Sequence, residues 1–278
     1  MTVFELLLPA FLASLVLTGI HAYLGVHVVE RGVIFVDLSL AQIAALGATV
    51  AYLAGHDLHG VPAHLYSLGF SFVGAAIFAL SRMRRATRVP QEAVIGIVYA
   101  VSAAAAVLVM SKATQETEHL KEMLVGNVLS VSWAEVGRTA VLYALVGAFH
   151  WAYRRQFLLI SLDEEAAVRQ GLNIRWWDFL FYVSFGFVVT SSVAIAGVLL
   201  VFCFLVVPSV TAMLFARRLG PRLAIGWTMG ALVSAAGVWL SFLLDLPTGA
   251  AIVATFGAAL LVLAALRRVF WPEGVPGW

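Results

Sequence analysis

The amino-acid sequence predicts an all-α integral membrane protein: a polytopic helical bundle of about nine transmembrane helices, or eight if one segment is re-entrant. Three observations predict it. Of the 278 residues 62% are hydrophobic and 12% charged, against roughly 45–50% and about 25% in soluble domains. Mean hydropathy is +0.98, so the apolar surplus needs a bilayer to cover it. Apolar runs near the length that crosses a hydrocarbon core recur along the chain. Finally, arginines gather in alternate gaps between those runs, the charge asymmetry that orients membrane proteins.

The expected spans, in order, are 6–29, 33–54, 62–81, 92–111, 133–153, 177–195, 198–216, 223–244 and 248–266. The first, in "MTVFELLLPAFLASLVLTGI", carries Glu5 where a cleaved leader has Lys or Arg, and reads as a retained span. The second presents Ala41, Ala44, Ala45 and Ala48, a small face for close packing. Span four opens on Glu92, an ion-pair or helix N-terminal charge beside the basic gap 82–88. Only "TSSVAIAG" separates spans six and seven, and Pro208 predicts a kink in the latter. Fourteen of the 17 Lys and Arg residues fall in the gaps 30–32, 82–90, 154–176 and 217–222 and in the tail 267–278. Those segments are therefore expected in the cytoplasm, with the N-terminus outside and the C-terminus inside. No internal repeat or long linker is visible, so 1–278 reads as a single transmembrane domain. The net charge of +2 and the scattered arginines give no basic patch for nucleic acid. A single Cys203 excludes disulfides and a cysteine metal site.

Ionisable groups inside a span cost roughly 2.5–3.5 kcal/mol at mid-helix, which makes each a functional candidate. His21, His27, Asp37 and Gln42 cluster around the turn Glu30-Arg31-Gly32. At about 1.5 Å per residue, His27 and Asp37 lie roughly 6 and 9 Å from that turn, and His21 and Gln42 roughly 15 and 16 Å. The first two spans so offer a transport path at two polar levels, and His21 with Asp37 are candidate metal ligands. Imidazole and carboxylate bind zinc, manganese and ferrous iron alike. The competing reading is hydrogen bonding between neighbouring helices. "GHDLHGVPAH" sets His56, Asp57, His59 and His64 in an outer polar loop, His119 falls in an outer amphipathic stretch, and His150 reads as structural.

The most charged stretch is "SLDEEAAVRQG", 161–171. Alanine, glutamate and arginine favour a short helix, Asp163 to Glu165 suit its positive N-terminal end, and Gly171 is a stop. Taken alone this is a solvated loop helix. However, Glu165-Ala166-Ala167, three residues and then Gly171 resembles the EAA…G signature of ABC importer permeases, whose loop helix docks on the ATPase subunit. In that resemblance the small alanines allow close docking and the charges set register.

The resemblance extends along nearly the whole chain. "EAVIGIVYA" (92–100), "LVGNVLSVSWAEV" (124–136), "LLISLDEEAAVRQGL" (158–172), "AGVLLVFCFLVVPSVTA" (196–212) and "LDLPTGAAIV" (244–253) occur in order. Together they resemble the zinc/manganese-type metal-ion ABC transporter permease family. The resemblance implies a bacterial plasma (inner) membrane location, a homodimeric permease surrounded by lipid, a separate ABC ATPase that uses ATP, and an extracytoplasmic metal-binding protein. It also implies a cytoplasmic coupling loop at about 156–175, in which Asp163, Glu164, Glu165, Ala166, Ala167 and Gly171 meet the ATPase. The cargo it implies is a divalent ion, Zn or Mn, with no permanently bound cofactor. No GxxxxGK[ST] loop is present, so the chain reads as a transporter subunit rather than an enzyme. One departure stands out. The family's second-span motif is Asp-Ala-Leu-Ser-His, whereas the matching positions here read Leu38-Ser39-Leu40-Ala41-Gln42. The family's aspartate and histidine therefore do not carry over.

Two other readings compete. An ABC permease for a siderophore or cobalamin-like chelate needs a wider path without ion ligands. An intramembrane metalloprotease needs HExxH, which "HVVER" and "HLKEM" lack; a serine-type site needs a Ser/His pair on facing spans.

Overall fold

The computed structural model describes residues 3–58, 60–82, 89–111 and 128–270. Every extended element among them is helical. In chain order these are α1 (Val3–Arg31), α2 (Val36–Leu53), α3 (Val61–Ser81), α4 (Gln91–Met110), α5 (Trp133–Ala152), α6 (Arg154–Leu162), α7 (Glu164–Arg169), α8 (Ile174–Phe215), α9 (Leu219–Leu244) and α10 (Thr248–Phe270). A single 3₁₀ turn, Val128–Ser130, precedes α5. Among the described residues seven helices are long and apolar enough to cross a membrane. One of the seven, α8, has 42 residues. At 1.5 Å per residue it would run about 63 Å, twice the roughly 30 Å of hydrocarbon. It is in fact two helices. Gly197 has φ 74° and ψ 161°, a conformation open to glycine and closed to most side chains. The division falls between the two expected spans. Pro208 lies within a helical arm, so the break in helical geometry belongs to Gly197 rather than to the proline. With α8 counted as two arms, the described residues hold eight such spans, and α5, with 20 residues, would make a ninth.

The chain divides into two compact units. One comprises Met1–Val29, Leu124–Ala144 and Ile195–Trp278. Its helices approach closely at small residues, as bilayer bundles require because lipid supplies no hydrophobic drive for helix association. A Cβ on Gly25 would strike the Leu205 carbonyl and the Ser209 hydroxyl, and one on Gly230 would strike Thr18. On Gly237 it would stand 2.7 Å from Ile252 Cα. Trp227 donates its indole N–H to Gly19 O at 3.0 Å. Phe204 meets Phe256 edge to face at 5.7 Å.

The other unit comprises Glu30–Met123 and Leu145–Ala194. Here α2 packs against α3 and α4. The small face predicted for α2 is buried at Ala41, Ala44, Ala45 and Ala48. Gly47 continues it, since a Cβ there would lie 2.7 Å from Tyr66 O on α3. Phe78, Phe157, Phe181, Tyr182 and Phe185 form the aromatic core of this unit. Leucines and isoleucines on the outer faces, such as Leu65, Ile97, Leu108 and Leu145, are exposed. Apolar side chains thus face outward as well as inward, as a lipid solvent demands.

Candidate functional site: a charged helix tied to a buried charge cluster

The segment 161–171 folds as its sequence predicts. Asp163 caps α7: its Oδ1 accepts from Ala166 N–H at 2.9 Å, which satisfies a donor that a helix start leaves unpaired. Gly171 ends the helix with φ 74°. Its N–H donates to Val168 O at 2.9 Å and the Leu172 N–H to Ala167 O at 3.1 Å, the paired bonds of a Schellman stop. Before it stands a helix the sequence reading did not anticipate, α6, anchored by buried Phe157 and Ile160. The alanines divide. Ala167 is fully buried in the chain itself and Ala166 is partly so. The small size of Ala167 therefore brings α7 onto its own unit rather than freeing space for a partner. The outward face is Leu162, Glu165, Val168 and Arg169, all exposed. Glu165 and Arg169 form a loose i,i+4 pair at 3.9 Å.

Glu164 points the other way, to a charge cluster beneath the segment. Arg82, which follows α3, reaches Glu164 Oε2 at 3.0 Å through Nη2 and Asp178 Oδ2 at 2.5 Å through Nη1. Arg31, the last residue of α1, reaches Asp178 Oδ1 at 2.7 Å. Its Nε donates to Ser161 Oγ at 2.8 Å, and its guanidinium lies 4.1 Å from the Phe181 ring centroid. Asp178 is wholly buried and Arg31 nearly so. Two cations and two anions leave the cluster neutral, the condition under which charge survives away from water. Burial works against the charge on Arg82, yet Asp178 and Glu164 together hold its guanidinium above its ordinary range. The ends of α1 and α3, the segment 161–164 and the start of α8 consequently meet at one place. That is the grouping expected of gaps sharing one side of a membrane.

Sequence reasoning missed this cluster. Its trace was Asp178 in "RWWDFLFY", a carboxylate inside a span edge, with arginines ending two earlier spans.

The expected path residues fall in both units. His21 and His27 are fully buried. His21 Nδ1 lies 2.7 Å from Leu17 O; a carbonyl only accepts, so Nδ1 carries the proton. Tyr143 meets that ring edge-on at 6.2 Å. Tyr23 meets His27 at 4.8 Å. In the second unit Asp37 is buried, and its Oδ1 has no hydrogen-bond partner among the described residues. Gln42, five residues on, is only partly buried, as its different helix face predicts. No group of three His, Cys, Asp or Glu side chains converges as a metal site among the described residues.

The remaining candidates have simpler places. His150 stacks on Phe157 at 4.4 Å and shares a 2.8 Å hydrogen bond with Ser184, a packing role. His56, Asp57 and His64 are exposed. Glu92 Oε1 accepts from the Phe35 N–H at 2.9 Å, next to the start of α2. His59, His119 and the basic residues of 83–88 lie outside the described residues.

Comparison with known proteins supplies the family. The family model described as ABC 3 transport family matches residues 3–267. The chain belongs to the ABC 3 transport family. This multi-pass membrane protein is 25% identical over 250 residues to the manganese transport system membrane protein MntC of Listeria innocua, spanning 88% of this chain and 84% of that one. It is 27% identical over 267 residues to a probable iron transport system membrane protein of Haemophilus influenzae, spanning 96% and 95%. Among solved structures, PsaBC from Streptococcus pneumoniae in complex with Fab shares the fold with a TM-score of 0.77 at 22% identity, covering 94% of this chain and 91% of that one. The metal-ion permease family suggested by the sequence motifs is thus the family observed.

Proposed function

We propose that the chain is the membrane permease subunit of an ABC importer for a divalent metal ion, moved inward by alternating access and powered by a separate ATPase. The observation that carries this reading is the capped and terminated helix Glu164–Arg169 with its exposed face, set within a chain of the ABC 3 family. The ATPase docks on that face. An extracytoplasmic metal-binding protein delivers the ion from the other side, and two copies of the permease form the working unit. Relatives carry manganese and iron in their names. Manganese and ferrous iron, with zinc, are the cargoes that imidazole and carboxylate suit. The chain contributes no ATP site of its own and works in the bacterial plasma membrane.

His21 and Asp37 contribute to the path. The buried imidazole of His21, protonated at Nδ1, and a buried carboxylate oxygen of Asp37 with no hydrogen-bond partner among the described residues are both groups that a passing cation satisfies. In proteoliposomes holding the complete transporter, Asp37→Asn and His21→Ala are each expected to lower metal uptake about tenfold, the factor that follows from losing about 1.4 kcal/mol of ion stabilisation. ATP hydrolysis and assembly stay intact. Parental uptake by both variants refutes the path role.

Orientation has its own test. In a Cys203→Ser background, Ser111→Cys is expected to react with an impermeant thiol reagent added outside, and Arg155→Cys only after the membrane is opened. Among the described residues α5 is the one long helix between the two positions. Labelling of both from the same side contradicts the topology.

A further inference from the structure

The geometry points to Asp178, with Arg31 and Arg82, as the set of positioning residues that transmits movement of the coupling segment to the ends of α1 and α3. This assignment rests on the importer reading above and adds the route by which docking is felt in the membrane. The coupling segment is held at two points, and both lead to the same carboxylate. Glu164 on α7 is bound by Arg82, and Ser161 on α6 is bound by Arg31. The two arginines then meet on opposite oxygens of Asp178.

A link of this kind moves as a unit. Glu164 is the most exposed member, with 42% of its side chain accessible, and lies in the helix that a partner would shift. Displacing it withdraws one of the two carboxylates that hold Arg82. Arg82 then follows Glu164 or turns wholly to Asp178; either way the balance at Asp178 changes, and with it the hold on Arg31. An uncompensated buried charge is costly enough that intermediate arrangements are poorly populated. The cluster therefore favours discrete states, the property coupling between distant sites requires. Arg31 is one turn after His27 on α1, and Gly32, with φ 66°, turns the chain directly toward α2 and Asp37. The relay ends where the path candidates begin.

Arg82 is the residue to test, because it bridges the segment and the cluster without being exposed to a docking partner. In proteoliposomes with ATPase and metal-binding protein, the readout is metal ions imported per ATP hydrolysed, with co-purified ATPase as the check on assembly. Arg82→Gln is expected to keep the ATPase bound and hydrolysing while the ratio falls by about fivefold or more, the lower end of site-to-site coupling. Arg82→Lys keeps the charge but offers one nitrogen in place of two, so its ratio falls between glutamine and parent. A parental ratio in Arg82→Gln overturns the assignment. Should that variant not assemble, a parental ratio in Arg82→Lys overturns it. A parallel fall of uptake and hydrolysis, with the ratio unchanged, also overturns it, because that is what a purely structural arginine produces. The parental complex in the same vesicles tests the importer reading separately: absent ATP-driven uptake there refutes that reading, whereas an unchanged ratio in a working importer refutes only the relay.

Discussion

Asp178→Asn is expected to destabilise the protein more than any other single change of similar size. The amide is the same shape as the carboxylate, so packing is preserved and only charge is lost. Arg82, 13% exposed, then keeps the half-exposed Glu164, while Arg31, 1% exposed, loses the charge of Asp178. Removing one partner of a buried ion pair costs about 3–5 kcal/mol, mostly from the charge left behind. The measurement is the thermal unfolding midpoint in detergent together with the yield of monodisperse protein. A second variant isolates the cause. Asp178→Asn combined with Arg31→Met removes one cation with the anion and leaves Arg82 paired with Glu164. It is expected to recover most of the loss. A single variant as stable as the parent, or a double variant no better than the single, contradicts the electrostatic account.

Glu165→Arg has the second largest expected effect, on assembly rather than on folding. Glu165 is exposed and pairs with Arg169 at 3.9 Å, an interaction worth about 0.3–0.5 kcal/mol at most. The permease should therefore fold and insert as before. Across a docked interface the same change reverses a charge, and like-charge juxtaposition there costs several kcal/mol. At about 1.4 kcal/mol per decade, co-purification of the ATPase should fall by about a hundredfold, and transport with it. Val168→Ala on the same face is a milder companion, trimming apolar contact without repulsion. Unchanged co-purification by Glu165→Arg removes the docking face from Glu165.

The two variants differ because adjacent glutamates differ. Glu164 and Glu165 are neighbours in an identical local sequence context, one turned toward Arg82 and the other toward solvent. Nothing in "DEEAA" distinguishes them, since the direction of each side chain depends on which face of α7 meets the rest of its unit. Ala167 makes the same point. Its small size suggested space for a partner, yet it is buried against its own chain. The helix itself was legible because its signals are local: a carboxylate that caps, residues that favour helix, and a glycine that stops it.

The spans were legible for a similar reason. Each is an apolar run whose length is imposed by bilayer thickness, and a lipid solvent leaves a backbone little choice but helix. Even the division of the longest run could be placed near Gly197, because glycine tolerates a positive φ that other residues avoid. What the sequence by itself determined was therefore the all-helical membrane architecture, the order of its spans, the family motifs and the capped helix Glu164–Arg169. Only the tertiary structure decided that Arg31, Arg82, Glu164 and Asp178 form one neutral cluster. The four are separated by up to 147 positions. A buried charge needs a partner, but the need does not say which one, and the choice is made by helix packing that brings distant ends together.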